Sequence, residues 1–429
     1  MFQFFKSEFF NFEFVRLLGT VGYGGAEVAE CLDVAAEIVN DDPESWHRAW
    51  HAQGEKAEAH AMEAAKNGDV ISARNAYLRA SNYFRASQYM FNDRPESPDP
   101  RIIPIMNKSL ANFGQAIRLF ETEVHVLEIP YEGHKLPGYL YLPPASKRLP
   151  GKIPILINCG GADSIQEELY YIYPAAGPAR GYAVLTFEGP GQGIVLRKDK
   201  LRMRPDWEVV TSSVVDYIEN FSVKNPDLEL DLSRISIAGA SMGAYYALRG
   251  ASDPRFKACV SIDPFYDLFD LATTRMPPAF INGWMSGWIS DNFFNSTWKF
   301  LSRFSFQLKW ELTHVMWIFG LPSAALGMRE MQRYTLQLKD GGEFLHQVRC
   351  PVLVTGAAHT IYTKPEISTN KIYEALKHLP DNQVQRWIAK APGDGGLQAK
   401  VGAFGLSQQR TFQFLDEVFK IERENISPN

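Results

Sequence analysis

Cysteine is scarce in this sequence, and its spacing excludes several classes of protein. The 429 residues include four cysteines, none of them in a CxxC pair or another zinc-ligand spacing. Three of the four lie in or beside apolar runs, where a thiol usually packs as a small hydrophobic side chain. The N-terminus carries Lys6, Glu8 and Glu13 and lacks the small-residue cleavage site of a signal peptide. We therefore expect a cytoplasmic protein with reduced cysteines.

Long apolar runs and an excess of positive charge are also missing. The best apolar run, residues 315–328, is too short to span a bilayer. The sequence has 44 basic and 49 acidic residues, a net charge of −5, which does not favour nucleic acid or an anionic membrane as a partner. No dinucleotide-binding fingerprint and no metal-spaced set of ligands occurs. We expect no cofactor and a small-molecule substrate.

The chain divides by pattern into four parts. Residues 1–120 show helical spacing and predict an N-terminal helical unit, which a proline-rich segment at 92–100 interrupts. Residues 121–263 and 346–429 contain short apolar runs without alternation, separated by helical stretches. Such runs are typical of a largely parallel sheet covered on both faces, and their alternation with helices predicts a doubly wound α/β domain.

The remaining part, residues 264–345, separates two predicted strands and is rich in Trp, Phe and Met. An unstructured loop of about 80 residues is implausible inside a compact domain. We interpret the segment as a helical lid inserted over the active edge of the sheet. The alternative is an aromatic helical pair buried as core or in a dimer interface.

The strongest chemical signal is the sequence GASMG at 239–243, which follows a predicted strand and precedes a predicted helix. This arrangement is typical of a nucleophile elbow, where small residues permit a sharp strand-to-helix turn and the serine, here Ser241, is exposed at its apex. We assign the oxyanion-hole N–H groups to Met242 and to the Gly161–Ala162 loop after an earlier strand. The alternative for that loop is a tight turn without a catalytic role. We place three further side chains around the pocket: Asp163, Glu188 and Tyr245.

Several motifs resemble those of a known family. The segments PYEGHKLPGYLYLP, CGGADS, FEGPGQG, GASMGAYYA and VGAFGLSQQRTFQFLDEV are similar to the fungal α/β-hydrolase family. That family includes heptaketide hydrolyases of melanin-type pigment biosynthesis and proteins of fusarin- and cytochalasan-type polyketide–nonribosomal peptide pathways. The resemblance implies an α/β-hydrolase fold, a carbonyl-rich substrate derived from a polyketide, and a homodimer. The aromatic N-terminus also suggests a homodimer, because it would otherwise expose much apolar surface.

The sequence departs from that family at two members of the catalytic triad. In the family, the aspartate follows the strand that corresponds to PVLVTG here. The end of this strand and the residues after it read GAAH at 356–359, so His359 stands at the position of the aspartate. The family histidine lies in an HCQ-like stretch before the last helix, where this chain reads GGLQAK at 395–400. The last histidine of the chain is His378. A serine without a base is a poor nucleophile, so the Ser-His-acid triad is incomplete at the level of sequence.

Two residues remain as candidates for the missing roles. His359 could act as a base on Ser241, act directly on the substrate, or be tolerated without a role. Asp263 occupies an alternative acid position of this fold, or it caps a strand end. His314, in the lid, is expected to be structural because it lies among aromatic residues.

These readings lead to three hypotheses for function. The first is ring formation or condensation, of the aldol or Knoevenagel type, at an oxyanion hole in which Ser241 donates a hydrogen bond. The second is hydrolysis of an ester, a thioester or a C–C bond next to a carbonyl, with Ser241 activated by His359. The third is a non-catalytic protein that binds a reactive intermediate.

Overall fold

The computed structural model describes residues 2–91, 97 and 99–424. Its first part is helical. The helices are α1 (Glu8–Leu18), α2 (Val28–Glu37), α3 (Pro43–Lys66), α4 (Val70–Gln88) and α5 (Ile102–Ile117). The proline-rich segment expected between α4 and α5 lies mostly outside the described residues. Asp42 and Asp69 accept hydrogen bonds from the first turns of α3 and α4, which is why these helices begin there.

The aromatic N-terminus is buried within the chain itself. Phe9 and Phe10 are fully buried on α1, and their rings lie 5.1 Å from Trp310 and 5.5 Å from Phe306, respectively. Aromatic pairs at these distances contribute packing beyond the area that they bury. The apolar residues of α1 therefore have an intramolecular partner, and they give no reason of their own to expect a second copy of the chain.

The second part is one sheet of eight strands in the order β1-β2-β4-β3-β5-β6-β7-β8. The strands are β1 (Val124–Tyr131), β2 (His134–Tyr141), β3 (Ile153–Cys159), β4 (Ala183–Phe187), β5 (Leu230–Ala240), β6 (Phe256–Ile262), β7 (Val352–Ala357) and β8 (Val384–Ala389). β2 pairs antiparallel with β1 and β4, and all other pairs are parallel. The predicted α/β-hydrolase fold is confirmed.

Helices cover both faces of this sheet. They are α6 (Gln166–Leu169), α7 (Glu208–Lys224), α8 (Met242–Gly250), α14 (Thr369–Ala375) and α15 (Phe404–Phe419). Neighbouring residues of a strand point to opposite faces. Leu156 of β3 accordingly belongs to a buried cluster with Phe412 of α15, whereas Ile155 and Ile157 belong to the main cluster with Leu248 of α8. This two-sided burial explains the unbroken apolar strands of the sequence.

Five helices lie between β6 and β7, and we call them the helical insertion. They are α9 (Asp270–Arg275), α10 (Pro278–Met285), α11 (Asp291–Leu301), α12 (Phe306–Phe319) and α13 (Ala324–Met331). Serine side chains cap α11, α12 and α13 at their N-termini. Within the insertion, α12 is the helix that packs against α1. Among the described residues, no helix has the length and apolarity needed to cross a membrane.

Candidate functional site

Ser241 lies at the sharp turn between β5 and α8. Its backbone has φ 56° and ψ −118°, a conformation that is strained for a side chain with a Cβ. The turn is possible because glycines flank it. A Cβ on Gly243 would lie 2.4 Å from the carbonyl oxygen of Cys159, and a Cβ on Gly239 would lie 2.1 Å from that of Gly243. The close approach of α8 to the end of β3 therefore requires the glycines of the motif.

The residues assigned to the oxyanion hole line the same cavity as Ser241. They are Gly161, Ala162 and Met242. Within the described residues, the backbone N–H groups of Ala162 and Met242 donate to no acceptor. The side chain of Gln192 holds the loop that contains Gly161 and Ala162. Its Nε2 donates to the carbonyl oxygens of Gly160 at 2.8 Å and Gly161 at 2.9 Å. Two N–H groups of residues that line the cavity with Ser241 thus have no acceptor among the described residues.

The cavity has a volume of about 520 Å³. Much of its wall is apolar and comes from the helical insertion, with contributions from Leu271, Met276, Phe280, Phe294, Trp298, Leu308, Val315, Ile318, Phe319, Met328 and Met331. Polar side chains lie at the sheet edge and on α1. A largely apolar cavity with a few convergent polar groups is the usual form of a small-molecule site.

Asp263 lines the cavity at the end of β6, and it is held by residues of two other segments. Its Oδ1 accepts a hydrogen bond from Thr355 Oγ1 at 2.7 Å and an ion-pair contact from Lys400 Nζ at 2.7 Å. Lys400 also donates to the carbonyl oxygen of Gly356 at 2.9 Å. Burial lowers the pKa of Lys400, and the attraction of Asp263 opposes that shift. Asp263 is therefore paired with an ammonium group rather than with an imidazole.

The segment 395–400, which corresponds to the family segment with the catalytic histidine, has a glutamine amide in the cavity instead of an imidazole. Gln398 lines the cavity. Its Nε2 donates to the backbone oxygen of Asp263 at 3.0 Å, and its Oε1 accepts from Thr360 Oγ1 at 2.6 Å. An amide in this position holds the two loops together but cannot take a proton from a hydroxyl at neutral pH.

The structure places three of the expected site residues outside the cavity lining. His359 is exposed, and its backbone N–H bonds to Gly396. Glu188 is buried below the site, where it accepts the N–H groups of Gln166 and Ile194. Tyr245 points away, because its hydroxyl donates to the carbonyl oxygen of Pro205. Sequence position along a strand or helix did not reveal these side-chain directions.

His314 of α12 lines the cavity, although its aromatic surroundings suggested a structural role alone. Its ring stacks on Trp310 with centroids 4.8 Å apart, and its Nε2 lies 3.2 Å from the carbonyl oxygen of Ala162. A carbonyl oxygen only accepts, so Nε2 carries the proton. Burial lowers the pKa of His314 to about 4, which keeps the imidazole neutral near neutral pH. His314 thus links the helical insertion to the Gly161–Ala162 loop.

Asp163 also lines the cavity, as predicted from the sequence. Its Oδ2 accepts from Arg16 Nη1 and from the hydroxyl of Tyr89, both at 2.6 Å. Burial favours the neutral acid, but Arg16 and Tyr89 outweigh it and hold the pKa of Asp163 well below its usual range. The carboxylate directly after the Gly161–Ala162 loop is therefore ionised and bound to the N-terminal helix. Sequence analysis missed both partners.

In the described part of the chain, no group of three or more His, Cys, Asp or Glu side chains is suited to hold a metal ion. The four cysteines are buried and unpaired.

Comparisons with known proteins agree with the geometry. Residues 32–282 match the model of the family described as esterase FrsA-like. Hydrolyase poxO of Penicillium oxalicum is 53% identical over 99% of this chain and 100% of its own length. Alpha/beta hydrolase psoB of Aspergillus fumigatus is also 53% identical, over 99% of this chain and 96% of its own length.

Solved structures show the same fold at low sequence identity. The crystal structure of 2,6-dihydroxy-pseudo-oxynicotine hydrolase has a TM-score of 0.68 and 19% identity, and covers 94% of this chain and 96% of that one. The structure titled AbyA5 wildtype has a TM-score of 0.58 and 17% identity, with 94% of each chain covered. The family match over residues 32–282 and the two fungal relatives at 53% identity show that the chain belongs to the FrsA-like esterase family of α/β-hydrolase-fold enzymes.

Proposed function

We propose that the protein is a fungal secondary-metabolite tailoring enzyme that promotes cyclisation or condensation of a carbonyl-rich, polyketide-derived intermediate. The observation that carries this proposal is the pairing of Asp263 with Lys400 beside an intact elbow at Ser241. A serine hydroxyl without a base is hardly ionised near neutral pH, so it is a weak nucleophile. The same turn still offers a hydroxyl and backbone N–H groups to a developing oxyanion.

The reaction is of the aldol or Knoevenagel type. The carbon between two carbonyl groups loses a proton and becomes an enolate, and this carbon then forms a bond to a second carbonyl carbon. The oxygen of that carbonyl becomes an alkoxide, which takes up a proton; loss of water completes a Knoevenagel condensation. Ala162 and Met242 donate their N–H groups, and Ser241 its hydroxyl, to the oxygen that gains charge.

The cavity supports ring formation in a flexible substrate. Its apolar walls exclude water and hold the two reacting carbons of one chain close together, which removes much of the entropic part of the barrier. The substrate class rests on the family resemblance. The fungal hydrolyases and α/β hydrolases at 53% identity support a small-molecule substrate.

A model substrate tests the proposal. An acyclic 3-oxo amide that carries an aldehyde at the far end of its chain can cyclise, and product is followed by liquid chromatography with mass detection. We expect Ser241→Ala to slow turnover by about a hundredfold, the scale of one lost oxyanion donor. A loss of about 10⁶-fold in Ser241→Ala, the scale of a lost nucleophile, together with an acyl-enzyme trapped on Ser241 of the wild type, contradicts the proposal.

Hydrolysis is the second candidate, and the strained backbone of Ser241 favours it, since such turns aim a serine at a carbonyl carbon. The expected base, His359, is exposed outside the cavity lining, so this candidate needs another base. A fluorophosphonate probe read by intact mass separates the two. We expect no adduct, while a serine hydrolase with a complete triad labels readily. A stoichiometric adduct that is absent in Ser241→Ala favours hydrolysis.

The third candidate is a binding protein without turnover. It predicts that the model substrate binds tightly and that its cyclisation is no faster than in buffer.

We also propose a homodimer, which the family resemblance supports. Light scattering after gel filtration measures it directly, and a monomer at micromolar concentration contradicts it.

A further inference from the structure

The helix α1 brings a second carboxyl group to the cavity. Glu13 and Arg16 are one helical turn apart, and both line the cavity that holds Ser241. Glu13 is 2% exposed. Neither the proposed oxyanion hole nor the elbow uses Glu13, although it is a titratable group within the same enclosed space.

The guanidinium of Arg16 contacts three carboxyl groups. Its Nη1 lies 2.6 Å from Asp163 Oδ2 and 3.3 Å from Glu13 Oε2, and its Nε lies 2.5 Å from Glu168 Oε1. Arg85 adds a second cation, with Nη1 3.4 Å from the same oxygen of Glu168. Two cations thus face three carboxyl groups, so the buried cluster is neutral when one carboxyl group keeps its proton.

Contact distances show which carboxyl group holds that proton. Asp163 and Glu168 have the short contacts with Arg16, whereas Glu13 has the longest. Burial raises the pKa of Glu13 to about 7, with Arg16 opposing and with Asp163 and Glu168 adding to the shift. Burial, with the charges of Asp163 and Glu168 adding to it, therefore moves the pKa of Glu13 towards neutral pH, where a group both accepts and returns a proton effectively.

Tyr89 connects Glu13 to Asp163. Its hydroxyl oxygen lies 2.6 Å from Asp163 Oδ2 and 3.2 Å from Glu13 Oε1. A hydroxyl has one proton, which the short contact with the ionised Asp163 takes. When Glu13 is protonated, it can donate in the longer contact to the tyrosine oxygen, which also accepts from Arg16 Nη1 at 3.4 Å. This order of donors agrees with a protonated Glu13 beside an ionised Asp163.

We propose that Glu13 is the acid–base residue of this cavity. The ionised Glu13 takes the proton from the carbon between two carbonyl groups of the substrate, and the electron pair of the broken C–H bond forms the enolate. After the new C–C bond has formed, Glu13 returns the proton to the alkoxide oxygen. The step is balanced without an oxidant or another reactant. This inference rests on the proposed function, and it assigns to α1 the base that the segment 395–400 lacks.

The first test measures the protonation state of the Glu13 carboxyl group as a function of pH, without any substrate. Difference infrared spectra compare the wild type with Glu13→Gln, an isosteric variant that cannot titrate. We expect a protonated-carboxyl band in the wild type that disappears as the pH rises through about 7 and that is absent from the variant. Glu8→Gln, an exposed carboxylate on the same helix, serves as the matched control and keeps the band. A band that is present in Glu13→Gln contradicts the assignment.

The second test separates proton abstraction from ring formation. The probe is a 3-oxo amide without an aldehyde, and its exchange of the central hydrogen for deuterium is followed by NMR. We expect exchange in the wild type and in Glu8→Gln, with a rate that rises through an apparent pKa near 7, and a loss of at least a hundredfold in Glu13→Gln.

The outcomes distinguish the two proposals. If Glu13→Gln cyclises the aldehyde substrate at the wild-type rate and with the wild-type pH profile, Glu13 is not the base, while the proposed function stands. If the wild type neither exchanges the probe nor cyclises the substrate but labels at Ser241, the proposed function itself is wrong. Glu13→Asp, which keeps a carboxyl group, is expected to restore part of the exchange.

Discussion

The ammonium group of Lys400 lies 2.7 Å from Oδ1 of Asp263, and both side chains are buried. The pair joins the loop before α15 to the end of β6. A buried pair of charges contributes little against an apolar pair of the same shape, but the loss of one partner leaves the other charge unpaired and is strongly destabilising.

Lys400→Met is therefore expected to lower the free energy of unfolding by about 3–5 kcal/mol. Chemical denaturation measures the change. The double variant Lys400→Met, Asp263→Leu is expected to regain most of the loss, because no buried charge remains. A single variant as stable as the wild type contradicts the pairing.

Gly243→Ala tests the close approach of α8 to β3. The added Cβ would lie 2.4 Å from the carbonyl oxygen of Cys159, so we expect a loss of about 1–3 kcal/mol in stability and a displaced elbow. Gly114→Ala is the matched control, since its Cβ on α5 meets no atom within 4 Å. This control is expected to gain up to about 1 kcal/mol, because alanine has the higher helix propensity. Thermal unfolding of both variants checks the prediction.

The buried imidazole of His314 is expected to make the stability of the protein depend on pH. Burial holds its pKa at about 4 in the folded protein, below the ordinary value of 6.5, so between these values the unfolded chain binds the extra proton. Stability is therefore expected to rise as the pH increases from 4 to 6.5, by about 3 kcal/mol for this one group. The measurement is the free energy of unfolding of the wild type minus that of His314→Gln at each pH. The subtraction removes the contribution of Glu13, whose raised pKa makes stability fall as the pH increases. A difference that is constant with pH contradicts a buried neutral imidazole.

Arg16→Met tests the link between α1 and the Gly161–Ala162 loop. Removal of the guanidinium leaves Asp163 without its cation and Glu168 with only the 3.4 Å contact to Arg85, and we expect a loss of about 3–5 kcal/mol. Arg333→Gln is the control; Arg333 is 64% exposed and pairs with Glu330, so its loss is expected to cost about 1 kcal/mol or less. Urea denaturation compares the two. Equal effects would argue against a buried network.

The parts of the site that the sequence predicted are local. The elbow at Ser241 and the loop at Gly161 are each encoded by a strand, a few small residues and a helix that are continuous in the chain. The largely parallel sheet followed from the short apolar runs without alternation, whereas the order of its strands was not predicted.

The parts that the sequence did not predict depend on distant partners. Arg16 and Asp163 are 147 positions apart, and Lys400 and Asp263 are 137 positions apart. Neither pair carries a pattern that a single sequence can show. The directions of Glu188 and Tyr245 were missed for a related reason, since a position in a loop or on a helix does not say which backbone oxygen or N–H a side chain will meet.

Packing between the two ends of the described chain has a consequence for biosynthesis. Phe12 and Val15 of α1 form a buried cluster with Leu397, Val401 and Phe404, and residues from both regions line the cavity. A ribosome makes the first of these regions long before the second. Residues from the stretch 398–404 are part of the cavity wall, so a nascent chain completes that wall only after residue 404 has left the exit tunnel.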